Sequence, residues 1–254
     1  MSYSISTIHN CLLFTIQREE RRNAIDFDVM EGLREFALRL HEDTRISAGI
    51  ITGSGNQAFC SGGDLQVFHA LETEAEARSM LQPMSEILVQ LAIVPVPTIA
   101  LVNGHAVGGG CEIATMCDFR VMHETAKAGF IQGSLAITTG WGGATYLFDK
   151  LADPQKAFKV LLEAKPYDAK TLHAIGWAND LYTGEKEEAL ERIVRQYVSS
   201  HPSVMRAYKS RRLDQLNIQT LKGQIEREVN DCARLWEQPA HHEAVAKFLS
   251  KKSK

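Results

Sequence analysis

Glu112 lies two residues beyond the run Gly108-Gly109-Gly110, and the pair Asn103-Gly104 precedes that run. The apolar residues 97–102 predict a buried strand, Asn103-Gly104 a turn, and the small residues after the glycines a helix. Glycines at a helix start leave backbone N–H groups that no side chain covers, and the helix dipole draws negative charge to that spot. The chemistry this predicts is stabilisation of an oxyanion, with the ionisable carboxyl of Glu112 within the first helical turn. A second glycine loop, Ala58-Phe59-Cys60-Ser61-Gly62-Gly63-Asp64-Leu65, follows the strand ending at Gly53. Two such loops can aim one N–H each at a single enolate oxygen, and one such donor is typically worth about 3 kcal/mol in the transition state. Spacing alone fits two tight turns that need glycine equally well.

The elements that must hold these loops are legible in outline. Residues 4–8 and 11–16 alternate as a hairpin around His9-Asn10. Val29, Leu33, Phe36, Ala37 and Leu40 form a stripe at helical spacing, and residues 48–53 make a short strand running into the second glycine loop. Thr73 and Glu76 form a capping box for a helix that turns Leu81, Met84, Leu88 and Leu91 inward. A further strand is expected around residues 119–122. Strands and helices alternate to about residue 185, which favours an α/β fold with helices packed on sheet. From Glu185 onward the chain is charged and helix-like, with one stripe at Leu190, Ile193, Val194 and Tyr197, and another at Leu221, Ile225, Val229, Cys232 and Trp236. A last short helix carries Val245, Phe248 and Leu249. The chain therefore divides into a core of residues 1–185 and a helical region of residues 186–254.

Three segments in order resemble the signatures of the crotonase, or enoyl-CoA hydratase/isomerase, superfamily: residues 59–65, the run from Asn103 to Glu112, and Gly140-Trp141-Gly142-Gly143. The match begins at Arg22-Asn23-Ala24 and extends into the C-terminal helices. The resemblance implies a crotonase-like superhelix of ββα turns, a C-terminal helical region used in self-association, and trimers or dimers of trimers that bind an acyl-CoA thioester. It implies that the N–H groups of Gly63 and Gly109 hold the thioester oxygen. It also implies that Arg22, Ala24, Asp64, Leu65, Gln66 and Trp141 lie along the substrate, with Phe248 and Lys251 at its CoA phosphates. Coenzyme A is then part of the substrate; no separate cofactor and no metal are expected.

The chain departs from that pattern at one position. Relatives that hydrate enoyl-CoA use two glutamates, and Glu112 matches the first, while Gln132 stands where the second belongs. No Glu or Asp lies between Ala126 and Asp149 to replace it. Glutamine orients a neighbour by hydrogen bonds but exchanges no proton at neutral pH. One carboxyl beside an oxyanion hole suits decarboxylation of a malonyl-type thioester, since loss of CO2 itself generates the enolate. Phe130, Ile131 and Trp141 are candidate apolar walls for that reaction. Trp141-Gly142-Gly143 and Leu235-Trp236 resemble the ethylmalonyl-CoA decarboxylase branch. The leading expectation is an acyl-CoA lyase, with hydration or isomerisation of an enoyl-CoA as its rival.

Other residues have blander readings. Glu112 can complement the helix dipole, and Asp64 can fix its loop. His105 reads as an exposed turn residue, and Cys60 and Cys111 as packing. The five cysteines are scattered without metal spacing, which fits reduced thiols in a cytoplasmic protein. A net charge of −3 argues against a nucleic-acid surface, and the acidic first helix region argues against the RNA binding known among relatives. No secretory signal or membrane-length apolar run is visible. The glycines from Gly104 to Gly110 lack the GxGxxG spacing of a nicotinamide site.

Overall fold

The computed structural model describes residues 1–252, with side chains through residue 250. The hairpin forms as its alternation predicts: β1 (Tyr3–Ile8) and β2 (Cys11–Ile16) pair antiparallel, and His9 turns between them at φ 50°. α1 (Phe27–Glu42) starts on Asp26, whose carboxylate accepts from Val29 N–H at 2.9 Å, and buries the predicted stripe.

The chain then winds three times through a strand, a second strand and a helix. The first turn is β3 (Ala48–Gly53), β4 (Ala58–Cys60), the short α2 (Leu65–Phe68) and α3 (Glu74–Ala92), which begins on the Thr73–Glu76 capping box. The second is β5 (Thr98–Val102), β6 (His105–Val107) and α4 (Gly109–Met116). The third is β7 (Phe119–His123), β8 (Lys127–Gly129), a 3-10 turn at Gln132–Leu135 and α5 (Gly143–Lys150). α6 (Pro154–Glu163), β9 (Tyr167–Asp168), α7 (Ala169–Ala174) and β10 (Asp180–Tyr182) complete the core. The first strands of the turns join one sheet in the order β1-β2-β3-β5-β7-β10, parallel except for β1; the second strands join another in the order β4-β6-β8-β9.

Ala58–Cys60 and His105–Val107, which read as parts of loops, are thus strands of a second sheet. Three residues between glycines are too short to show a period of two. Their parallel pairing sets Ala58 opposite His105 and Cys60 opposite Ala106, so both glycine loops leave the same edge side by side. Asn103, read as a turn residue, is 3% exposed and fastens the opposite ends of these strands, at the loops where β3 passes to β4 and β5 to β6. Its Oδ1 accepts from Thr52 Oγ1 and Gly53 N–H, each at 3.0 Å, and its Nδ2 donates to Gly53 O and Gly55 O. A side-chain amide carrying both donors and an acceptor replaces the backbone partners these loops lack.

The helical region packs on this core. α8 (Lys186–Tyr197) lays Leu190 and Ile193 on the outer face of the first sheet, against Cys11, Ile50, Ile99 and Val121. α9 (Pro202–Gln215) places Lys209 Nζ 2.6 Å from Asp118. α10 (Ile218–Trp236) buries its predicted stripe against α3, and Trp236 Nε1 donates to Leu71 O at 2.7 Å. α11 (Pro239–Lys252) returns to the 3-10 turn, where His241 Nδ1 meets Leu135 O at 2.8 Å. Among the described residues no helix is long and apolar enough to cross a membrane.

Candidate active site

α4 begins on Gly108, whose φ of 57° with ψ of −124° is a conformation for glycine alone. Gly108 O accepts from Cys111 and Glu112 N–H, while Gly109 N–H has no acceptor among the described residues. Across from it, the 61–64 loop is pinned to the segment after Arg22: Ser61 N–H donates to Arg22 O, Ile25 N–H to Gly62 O, and Asp64 N–H to Ile25 O. Gly63 N–H, between these bonds, also has no acceptor among the described residues. The loops touch so closely that a β-carbon on Gly62 would stand 3.1 Å from Gly109 N. Unmade backbone N–H groups are rare in folded chains, and two on adjoining loops mark a place for an anion.

Trp141 covers this place. A β-carbon on Gly109 would fall 2.0 Å from Trp141 Cζ3, and one on Gly63 would lie 3.8 Å from Cη2, so the edge of the indole spans both glycines. Ile131 approaches Gly108 from the other side, within 3.8 Å of where its β-carbon would be. Trp141 and Phe130 are buried, and Trp141 Nε1 has no hydrogen-bond partner among the described residues.

Glu112 is 2% exposed and is held by four N–H donors. Its Oε2 accepts from Trp141 N–H at 2.9 Å and Gly143 N–H at 2.8 Å; its Oε1 accepts from Gln132 Nε2 at 2.8 Å and Gly140 N–H at 3.5 Å. The carboxyl thereby ties α4 to the start of α5. Gly143 has to be glycine, because its β-carbon would meet Glu112 Cγ at 2.5 Å. Burial and the charge of Glu228 push Glu112 up to about 8, against the opposing pull of the three backbone donors. Gln132 is also buried, and its Oε1 has no partner among the described residues.

The sequence led us to expect a lone carboxyl, and the structure places a second one beside it. Glu228 on α10 accepts from Thr139 Oγ1 at 2.5 Å, Ala144 N–H at 3.2 Å, Thr145 N–H at 3.0 Å and Thr145 Oγ1 at 2.9 Å. The two glutamates therefore share the N-terminus of α5, Glu112 on Gly143 and Glu228 on the next two residues. The only signal for Glu228 was an acid on the buried stripe, seven residues after Leu221 and four before Cys232. Arg18 was also missed. Its guanidinium holds Asp64 at 2.8 Å and Asp26 at 3.0 Å.

The structure brings Gly63, Gly109, Glu112, Gln132 and Trp141 together and sorts the remaining candidates. Arg22 and Ala24 run along the 61–64 loop. The Asp64 side chain is engaged by Arg18 and by Gln66 N–H, so it fixes its loop. Gln66 is exposed and accepts from Arg21. Leu65, His69, Trp236, His241, Val245 and Leu249 line a cavity of about 190 Å3. Phe248 is half-buried on α11, and the side chain of Lys251 lies outside the described residues. His105 is exposed, with Nδ1 accepting from Lys127 N–H. Cys60 and Cys111 are buried; burial pushes both thiols up, Cys60 to about 12, which suits packing. Among the described residues no group of three His, Cys, Asp or Glu side chains is placed to hold a metal ion.

The family model described as enoyl-CoA hydratase/isomerase matches residues 7–254. An ethylmalonyl-CoA decarboxylase from Bos taurus is 31% identical over 239 residues, covering 92% of this chain and 77% of that protein. A crotonyl-CoA hydratase from Syntrophomonas wolfei is 33% identical over 171 residues, 67% of this chain and 65% of that protein. The crystal structure of an enoyl-CoA hydratase from Bacillus halodurans superposes with a TM-score of 0.87 at 20% identity, covering 97% of this chain and all of that one, and shares the fold of ββα turns.

Proposed function

Because the chain belongs to the enoyl-CoA hydratase/isomerase family, we propose that it decarboxylates a short alkylmalonyl-CoA. The thioester oxygen is held by Gly63 N–H and Gly109 N–H. The bond from the α-carbon to the carboxylate breaks, its electron pair passes into the thioester enolate, and CO2 leaves. Glu112 gives its proton to the α-carbon and regains one from water, so one proton is consumed and the product is the acyl-CoA lacking that carboxylate. Trp141, Phe130 and Ile131 exclude water from the departing carboxylate. The CoA portion runs past Arg22, Ala24 and residues 64–66 toward Phe248 and Lys251.

The pairing of Glu112 with Gln132 carries this reading. A carboxyl pushed to about 8 holds a proton at neutral pH and adds no charge beside an anionic substrate. Its side-chain partner is an amide, which donates to a carboxylate and, turned over, accepts from a carboxylic acid. Gln132 can thus serve Glu112 before and after proton transfer. The crotonyl-CoA hydratase relative supports hydration as a second reading, and the same amide counts against it, since Gln132 neither takes nor gives a proton.

Ethylmalonyl-CoA, methylmalonyl-CoA and crotonyl-CoA, offered separately to the purified protein, test this by mass spectrometry of the products. Saturable loss of CO2 from a malonyl thioester, at least about tenfold more efficient in kcat/KM than crotonyl-CoA hydration, is the expected result. Rapid hydration with inert malonyl thioesters would overturn it. Assembly as a trimer or paired trimers goes with this proposal and is supported by Phe148 on α5 and Phe158 and Leu162 on α6, which stand exposed. Light scattering should give three or six times the chain mass; a monomer sinks the idea.

A further inference from the structure

The N-terminus of α5 carries two acids. Gly142, which precedes it, offers no capping side chain. Glu112 takes Gly143 N–H from the α4 side, and Glu228 takes Ala144 and Thr145 N–H from the α10 side. A helix end presents roughly half a positive charge, which two carboxylates there would have to share while repelling each other. The two sites differ in how well they hold an anion. Glu228 is half-buried, reaches water, and adds the hydroxyls of Thr139 and Thr145 to its two N–H donors. Glu112 is enclosed under Trp141, with an amide as its only side-chain partner among the described residues. Neither glutamate pairs with a lysine or arginine among the described residues.

We infer that Glu228 is a positioning residue for the reaction: it occupies the α5 terminus as the resident anion and so leaves the proton on Glu112. The other titratable groups facing Glu112 carry no charge that competes with it. Tyr146 on α5, Cys232 on α10 and Cys111 on α4 are all pushed up by burial and stay neutral. The charge of Glu228 is accordingly the outside influence on Glu112 that a single substitution removes. Gln132 fits this division, because its unpartnered Oε1 is an acceptor suited to a protonated neighbour. The role in turnover rests on the decarboxylase reading, while the protonation of Glu112 does not.

Infrared spectroscopy separates the two. The wild-type protein at pH 6–7 should show a buried carboxylic-acid C=O band that Glu112→Gln removes. In Glu228→Gln that band should vanish at a pH about one unit lower, and the alkaline limb of kcat should move down with it. Glu228→Asp keeps the charge and should restore both toward wild type. The inference is overturned by a wild-type protein lacking the Glu112 band near neutrality, a measurement independent of how well Glu228→Gln folds. It is overturned equally by a Glu228→Gln titration that coincides with wild type, or by Glu228→Asp shifting as far as Glu228→Gln. A Glu112 band that titrates as inferred in a protein inert toward alkylmalonyl-CoA would refute the reaction and leave the role of Glu228 standing.

Discussion

Glu112→Gln is expected to fold as well as the parent protein and to lose roughly 100- to 10,000-fold in kcat, the range for removal of a positioned proton donor. The folding half of this follows from the bonds around the carboxyl. Placed in the position of Oε2, the new amide oxygen keeps the N–H bonds of Trp141 and Gly143. Its NH2 group then faces Gln132, which turns over and accepts through the Oε1 that has no partner among the described residues of the parent. Gly140 N–H, a long 3.5 Å approach in the parent, and the Nε2 of the turned Gln132 are then left without an acceptor among the described residues, the latter replacing the one orphan atom of the parent amide. Stability should moreover diverge with pH. A carboxyl whose folded pKa is raised contributes fully below its ordinary value of 4.5, and that contribution is lost as pH rises through about 8. The glutamine variant has no such loss, so its melting temperature relative to wild type should climb from pH 5 to pH 9. If the variant instead keeps turnover within a few-fold, Glu112 is a clamp between α4 and α5 and nothing more.

The pattern of what was legible follows the range of the forces involved. α1 and α3 could be read because their stripes and caps are encoded within a few residues: Asp26 to Val29, Thr73 to Glu76. The glycine loops and Glu112 were legible because the glycines and their spacing are local too, while Gln132 was singled out by the family resemblance alone. The strands Ala58–Cys60 and His105–Val107 were not, since three residues acquire strand geometry only from the partner strand beside them. Glu228 was hidden for a related reason: it reaches the site across more than eighty residues, through the packing of α10 on α5. The expectation of a lone carboxyl was drawn from residues 126–149, and sequence proximity was the wrong measure. Asp64 shows the opposite case, where the bland expectation of a loop-fixing side chain proved right, with Arg18 as the unforeseen partner.

Gly109→Ala should be the second most damaging change, with kcat falling about 100- to 1,000-fold and KM moving little. The added methyl carbon would lie 2.0 Å from Trp141 Cζ3 and 2.6 Å from Cη2, far inside contact distance, and an indole edge cannot step aside as a flexible chain end can. Overpacking of this kind costs about 1–3 kcal/mol of stability. The greater loss is catalytic, because Trp141 cannot move alone. Its backbone N–H donates to Glu112 at 2.9 Å, so displacing the ring disturbs the proton donor as well as the N–H of residue 109. A donor displaced from a developing oxyanion forfeits an interaction made chiefly in the transition state, and such losses fall on kcat. Gly176→Ala provides the comparison: its φ of 85° strains a side chain through the backbone, as residue 109 does not, yet among the described residues nothing lies within 4 Å of the added carbon. That variant should lose some stability and keep its activity. Steady-state kinetics and thermal melts of the two, run side by side, separate backbone strain from damage to the site. Near-normal kcat in a folded Gly109→Ala protein would mean that the N–H of residue 109 does not hold the enolate.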